Sequence, residues 1–283
     1  MTFWLNGEWR EDAAAIRIDD RGLLLGDGVF ETILVRNGVP AFLGRHLHRL
    51  QRGLQLLSID AAIPGDLNHI ILRLAERNDA LKCDAVLRLT VSRGAGERGL
   101  GYPENAQPTI LMTLSPVKSV PATTRRLVLS NRIRMVTELT RVCKTPAYLE
   151  NILAYNDAHA AGADDALMLT AEGKVACATT ANIFVINDDG VVLTPPASDG
   201  ALPGVVRGVL LEKTPAAGVT LQESSLSIED IGRGAVFLTN SLIGLAPAAY
   251  QGSLETSGHE IFKRLVSCYQ EALAEDLRQA GEA

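Results

Sequence analysis

Cysteine is scarce in this chain, and the four present, Cys83, Cys143, Cys177 and Cys268, lie far apart with no CxxC pair and no histidines gathered near them. That spacing excludes a disulfide framework and a zinc site, and it fits a reducing cytoplasm. Long apolar runs are missing too. No stretch approaches the roughly 18 residues that span a bilayer, and MTFWLNGEWR lacks a basic segment followed by an apolar one. Neither a transmembrane helix nor a signal peptide is expected. No block of lysine and arginine stands clear of acidic neighbours, and the net charge is -6, so no nucleic-acid surface is expected either. No internal repeat occurs. What is present, 283 residues at 47% hydrophobic content, suffices for one large core or two smaller ones, as in a mildly acidic globular enzyme.

The order of patterns predicts two domains. Around Asn6-Gly7, FWLNGEWR reads as a hairpin, because an Asn-Gly pair supplies the two left-handed residues of a tight turn. A Gly-rich bend then leads into an alternating strand over Val29 to Val35, a second turn at Asn37-Gly38 and a returning strand. Leu47, Leu50, Leu54 and Leu57 recur at helical spacing, with Arg45, His48, Arg49 and Arg52 on the polar face. A helix over Leu67 to Asn78, a strand over Ala85 to Ser92 and another in PTILMTLSP complete a small domain at 1–118. Residues 119–124 read as a linker. In the second half, 125–283, strands are expected at Leu127 to Ser130 and Ala166 to Thr170. A further strand should end near Val185, a helix follows LPG, VFLTN is a strand entering a loop, and a C-terminal helix starts at His259.

Within this frame, RVCKTPAYLENILAYN draws attention to Lys144. It is placed at a strand-to-helix junction with its stem against apolar surface, where desolvation lowers an ammonium pKa and the neutral amine can condense with a carbonyl. Polar groups suited to a phosphate occur in three further places. Arg49 offers a guanidinium fork, the amides of Val205 and Val206 open a helix after Leu202-Pro203-Gly204, and Asn240 and Ser241 end a strand.

The motifs RGLLLGDGVFETI, HLHRL, KTPAYLENILA, GADDALMLTAEGKV, ATTANIFVI, LTPPASDGALPGVVR and FLTNSLIGLAP together resemble the class IV aminotransferase family over nearly the full length. These are fold-type IV enzymes that use pyridoxal 5'-phosphate (PLP), among them branched-chain and D-amino-acid transaminases and aminodeoxychorismate lyase. The resemblance implies a two-domain α+β fold, with a small N-terminal α/β sandwich and a larger domain on a β-barrel-like sheet, and a homodimer. It implies that Lys144 forms the Schiff base and moves protons. Arg49, Val205, Val206, Asn240 and Ser241 then hold the phosphate, Leu202 packs on the pyridine ring and Tyr148 reaches its hydroxyl. Where most members carry a glutamate against the ring nitrogen, five residues before Asn182, this chain has Cys177. A neutral thiol supports a pyridinium far less than a carboxylate does. SRGAGERGL and TNSLIGLAP resemble the corresponding stretches of aminodeoxychorismate lyases, so Arg93 and Arg98, with Phe30, are the expected substrate contacts. The leading expectation is a lyase giving 4-aminobenzoate and pyruvate. A D- or branched-chain amino-acid transaminase is the alternative, and a PLP-binding protein with weakened catalysis ranks below both.

Overall fold

The computed structural model describes residues 1–11, 16–117 and 123–282, so the expected linker lies outside the described residues as far as residue 122. Two compact units emerge. One comprises Met1–Ser119, Val142–Ala147 and Glu275–Ala283, and the other Val120–Arg141 and Tyr148–Ala274. The division is therefore not a single point in sequence: the segment carrying Lys144 and the end of the chain both belong to the first unit.

The first unit contains β1 (Phe3–Leu5), β2 (Glu8–Arg10), α1 (Arg21–Leu25), β3 (Gly28–Arg36), β4 (Val39–Pro40), α2 (Leu43–Leu56), α3 (Leu67–Arg77), β5 (Asp84–Ser92) and β6 (Thr109–Pro116). Both Asn-Gly pairs make the expected turns, with φ of 47° and 95° at Asn6 and Gly7 and of 51° and 84° at Asn37 and Gly38. The strands form an antiparallel sheet in the order β2-β1-β6-β5-β3-β4. Alternation sends Ile33, Val35, Leu87, Leu89, Met112 and Leu114 to one face, where they share a core with Leu50 and Leu54 of α2 and Ile71 and Leu74 of α3. Each such side chain, fully buried, contributes about 1.5–3 kcal/mol.

The second unit contains β7 (Arg125–Ile133), all but the last residue of α4 (Glu138–Val142), α5 (Leu149–Ala160), β8 (Asp165–Leu169), β9 (Val175–Ala178), β10 (Asn182–Ile186), β11 (Val192–Thr194), α6 (Val205–Lys213), β12 (Leu221–Glu223), α7 (Ile228–Arg233), β13 (Ala235–Asn240), β14 (Gly244–Ala249) and most of α8 (Glu260–Glu282). Its eight strands run β12-β11-β10-β13-β14-β7-β8-β9. Val175, at the β9 edge, also bridges to Leu226 just beyond β12, so the two ends of the sheet curl toward each other as the barrel-like expectation required. Phe184 and Phe237 stack on the outer face with centroids 4.8 Å apart, and Phe237 meets Phe262 of α8.

Several expectations need correction. Lys144 follows a short helix, α4, and not a strand. Thr137 starts that helix, its Oγ1 accepting from the Thr140 amide at 3.2 Å in the manner of an N-cap. The strand expected to end near Val185 is two strands. Thr179 breaks it: its amide and hydroxyl both donate to the Asp165 carboxylate, at 3.0 and 2.6 Å. After VFLTN the chain does not run on as loop but turns at once into β14, which pairs back on β13.

Candidate active site

In the first unit, β3 organises the candidate residues. Phe30 donates its amide to the carbonyl of Lys144 at 2.8 Å, which fixes the lysine's backbone against the strand. The Lys144 Nζ stands 4.6 Å from the centroid of the Phe30 ring, and the same ring takes the Arg88 guanidinium at 3.8 Å. Each is a favourable cation–π contact. Both cations thus lie within about 8 Å of each other, and Arg88 is exposed. Arg88 was not singled out in the sequence, where it is one charged residue in an alternating strand.

The next residue, Glu31, points to the opposite face. Its carboxylate takes Arg49 bidentately, Nε at 2.8 Å and Nη2 at 2.5 Å, and His46 Nδ1 stands 2.6 Å from it. Glu31 and His46 are each 1% exposed and Arg49 9%. Arg49, on the polar face of α2, is buried, and its counter-ion is buried with it. Burial pushes the Glu31 carboxyl up, but the charge and bonds of Arg49 and the bond from His46 outweigh it and hold it below its ordinary range. Burial holds the His46 imidazole below its ordinary value, against the pull of Glu31, with the charges of Arg49 and Lys144 acting in the same direction as burial. The ring is neutral at pH 7, so its Nδ1 carries the proton and donates to the carboxylate.

Arg93 and Arg98 part company. Arg93 is 3% exposed, bound to Asp27 through Nε at 2.8 Å and Nη2 at 3.1 Å, and donates to the carbonyls of Ser58 and Leu57. Its fork is spent inside the unit, which corrects the expectation of a substrate contact. Asp27 also takes Arg21, whose Nη1 donates to the carbonyl of Gly99 beside Arg98. Arg98 itself is exposed.

In the second unit the candidates are neutral. Cys177, on β9 opposite Met168, is buried among Ala154, Ala158 and Ala176. Burial pushes its thiol up, the Arg134 charge counters this, and Asp165 adds to it, so the group is a neutral thiol at pH 7. Tyr148 is the half-buried residue at the start of α5. Val205 and Val206 open α6, whose Gly204 cap brings no side-chain acceptor, so the first-turn amides remain for an anion. The carbonyl of Leu202, two residues upstream, accepts from Asn182. Asn240 folds the strand end by accepting from the amides of Leu242 and Ile243, both at 2.9 Å, ahead of half-buried Ser241.

These groups suit a phosphorylated ring. A helix N-terminus and small polar side chains match a phosphate, and the hydroxyl of Thr239, at the strand end that leads to Asn240, is buried without a hydrogen-bond partner among the described residues. No helix among the described residues is long and apolar enough to cross a membrane.

Comparison with known proteins agrees with this chemistry. Residues 28–249 match the family described as "Amino-transferase class IV". A Methanocaldococcus jannaschii protein, provisionally named a branched-chain-amino-acid aminotransferase, is 31% identical over 252 residues, covering 87% of this chain and 86% of that one. Among solved structures, 4-amino-4-deoxychorismate lyase from Pseudomonas aeruginosa superposes with a TM-score of 0.81 at 30% identity, covering 97% and 99% of the two chains. The branched-chain aminotransferase of Thermoproteus uzoniensis reaches a TM-score of 0.88 at 24% identity, covering 98% of this chain and 96% of that one, a likeness of fold. The chain is an enzyme whose cofactor is pyridoxal 5'-phosphate, and it belongs to the class IV aminotransferase family.

Proposed function

We propose that the enzyme is an aminodeoxychorismate lyase, converting 4-amino-4-deoxychorismate to 4-aminobenzoate and pyruvate, with Lys144 as its catalytic residue. The observation that carries this reading is the buried, neutral thiol of Cys177, in the place where the resemblance puts a carboxylate. When bound, PLP supplies an electron sink for the carbon next to the substrate nitrogen. A neutral thiol gives that sink little support, so the reaction that needs it least is favoured, and loss of pyruvate is driven by aromatisation of the substrate's own ring. The 30% identity to the Pseudomonas lyase supports the same choice.

Lys144 Nζ takes up and returns a proton on the face presented by the Phe30 ring. Its backbone carbonyl, held by the Phe30 amide, keeps the stem in place. The amides of Val205 and Val206, with Asn240 and Ser241, take the phosphate, and the resemblance gives Arg49 a share in it as a charge whose Nε and Nη2 are fixed by Glu31. Leu202 and Tyr148 orient the ring. Exposed Arg88, on the same Phe30 ring as Lys144, is placed to take a substrate carboxylate.

The direct test is to supply 4-amino-4-deoxychorismate to the PLP-loaded protein and measure 4-aminobenzoate and pyruvate. Equimolar release is expected. Absence of both, with conversion of the cofactor to its pyridoxamine form by an amino acid, makes the enzyme a transaminase, the reading favoured by the Methanocaldococcus relative. The enzyme works as a homodimer on this proposal. Leu149, Ile152 and Tyr155 form an exposed apolar stripe along α5, 67%, 53% and 42% accessible, where a second copy would cover them. Sedimentation of Ile152→Asp should give a monomer where the parent gives a dimer.

A further inference from the structure

One buried residue in the second unit is linked to both elements that the proposed phosphate site depends on, to one by its side chain and to the other through its strand. Asn182, the first residue of β10, is 7% exposed. Its Nδ2 donates at 2.8 Å to the carbonyl of Leu202, which also accepts the Gly204 amide at 2.7 Å. Its Oδ1 lies against Gly204, the residue that opens α6: a Cβ built on that glycine would stand 2.0 Å from the oxygen. Gly204 has φ −66° and ψ 143°, an extended conformation open to any residue, so what this position requires is space and not backbone freedom. The amide thus holds the turn before α6 by a hydrogen bond on one side and by contact on the other.

The opposite connection runs through the sheet. Asn182 faces Thr239 across the β10–β13 ladder, and Thr239 is followed by Asn240, whose Nδ2 donates to the carbonyl of Thr180 at 3.3 Å. The backbone at Thr180 to Asn182 is therefore tied to the strand end carrying Asn240 and Ser241, while the Asn182 side chain is tied to the start of α6. We propose that Asn182 is a positioning residue that sets the spacing between the first turn of α6 and the Asn240–Ser241 turn, and thereby the grip on the cofactor's phosphate. This rests on the reading that those two elements hold the phosphate, and adds the residue that holds them in register. Aspartate cannot replace it, since a carboxylate oxygen facing the Leu202 carbonyl would set acceptor against acceptor.

The test compares equilibrium binding of PLP with that of pyridoxal, which has the same ring and no phosphate, in the parent protein, Asn182→Ala, Gly204→Ala and the double variant. Each single change should weaken PLP about tenfold, the scale of one lost hydrogen bond or a displaced turn, and leave pyridoxal within about twofold. In the Asn182→Ala background, Gly204→Ala should add less than about twofold, because the oxygen it collides with has gone. Asn182→Ser serves if the alanine variant does not fold, with the same phosphate-selective loss expected. Equal weakening of PLP and pyridoxal, unchanged PLP binding in a folded variant, or fully additive effects would each overturn the proposal. If the parent protein itself binds PLP no better than pyridoxal, the phosphate reading fails as well, and that result needs no variant to be seen.

Discussion

Lys144 and Arg49 in the first unit and Cys177, Val205 and Asn182 in the second meet the same requirement, a functional group held still against competing water, with opposite chemistry. In the first unit ions are held by ions: Arg49 by Glu31, Arg93 and Arg21 by Asp27. In the second, the candidates are held without charge: the Cys177 thiol by packing, the Asn182 side-chain amide by the Leu202 carbonyl, and the Asn240 side chain by the amides of Leu242 and Ile243. The difference predicts how each fails. A buried ion pair that loses one partner leaves an uncompensated charge, whereas a lost neutral contact costs about a single hydrogen bond.

The largest effect is expected at Lys144. Lys144→Ala should abolish turnover altogether and remove the lysine adduct that borohydride traps in the PLP-loaded protein. A trapped adduct persisting at another lysine would end the assignment. Glu31→Ala comes next, because it strands the Arg49 guanidinium in a site 9% exposed. It should lower unfolding free energy by about 3–5 kcal/mol in denaturant titrations, while a cut at a neutral contact of the second unit, such as Thr194→Val, which removes the bond from its hydroxyl to the Ile183 carbonyl, should stay within about 1 kcal/mol. Similar losses from the two would erase the contrast between the units.

Cys177→Glu puts an ion among the neutral candidate residues of the second unit. With a carboxylate against the ring nitrogen, conversion to the pyridoxamine form by a panel of D- and L-amino acids should quicken by about tenfold or more, since an opposite charge at contact favours the protonated nitrogen. Release of 4-aminobenzoate should change little. Equal small changes in both rates would mean that Cys177 does not contact the ring nitrogen.

The smallest effect is the pH dependence that Glu31 and His46 give the first unit. His46 is held below its ordinary 6.5 and Glu31 below its ordinary 4.5. In both cases the unfolded chain binds the proton first, so stability is full above these ordinary values and declines as pH falls, beginning near 6.5 with His46 and continuing through the carboxylate range with Glu31. His46→Gln should remove the upper part of that decline in chemical melts at pH 7.5, 6 and 5; a curve of unchanged shape would discount the neutral imidazole.

Much of the fold was legible because its signals are local. Asn37-Gly38 announces a turn, and the leucines of α2 announce a helix, with no reference to the rest of the chain. α1 was not legible. It is one turn long, its leucines Leu23, Leu24 and Leu25 are all exposed, and what defines it is Asp20 accepting from the Gly22 amide. The site divides in the same way. Cys177 and the LPG turn stand out by residue type, but the partnership of Glu31 with Arg49 joins positions 18 apart in sequence on two different elements, and Arg49 on its own reads as a solvated arginine. Arg93 misled for the converse reason. Its partner Asp27 lies 66 residues upstream, and an arginine entering a glycine-rich loop looks available to a substrate until that carboxylate is found.

Because Phe30 and Glu31 are neighbours on one strand, the ring beside Lys144 and the carboxylate beneath Arg49 differ by a single step of the pleat. Their separation onto two faces is guaranteed by nine successive pairs with β5, from Gly28 opposite Ser92 to Arg36 opposite Asp84, with no bulge among them. Deleting one residue ahead of Phe30 would exchange the two faces, bringing an acid to the lysine and a threonine in place of the arginine's carboxylate. Length changes that surface loops absorb over evolutionary time are closed to this strand, so divergence within such enzymes must reach it by replacing residues in place.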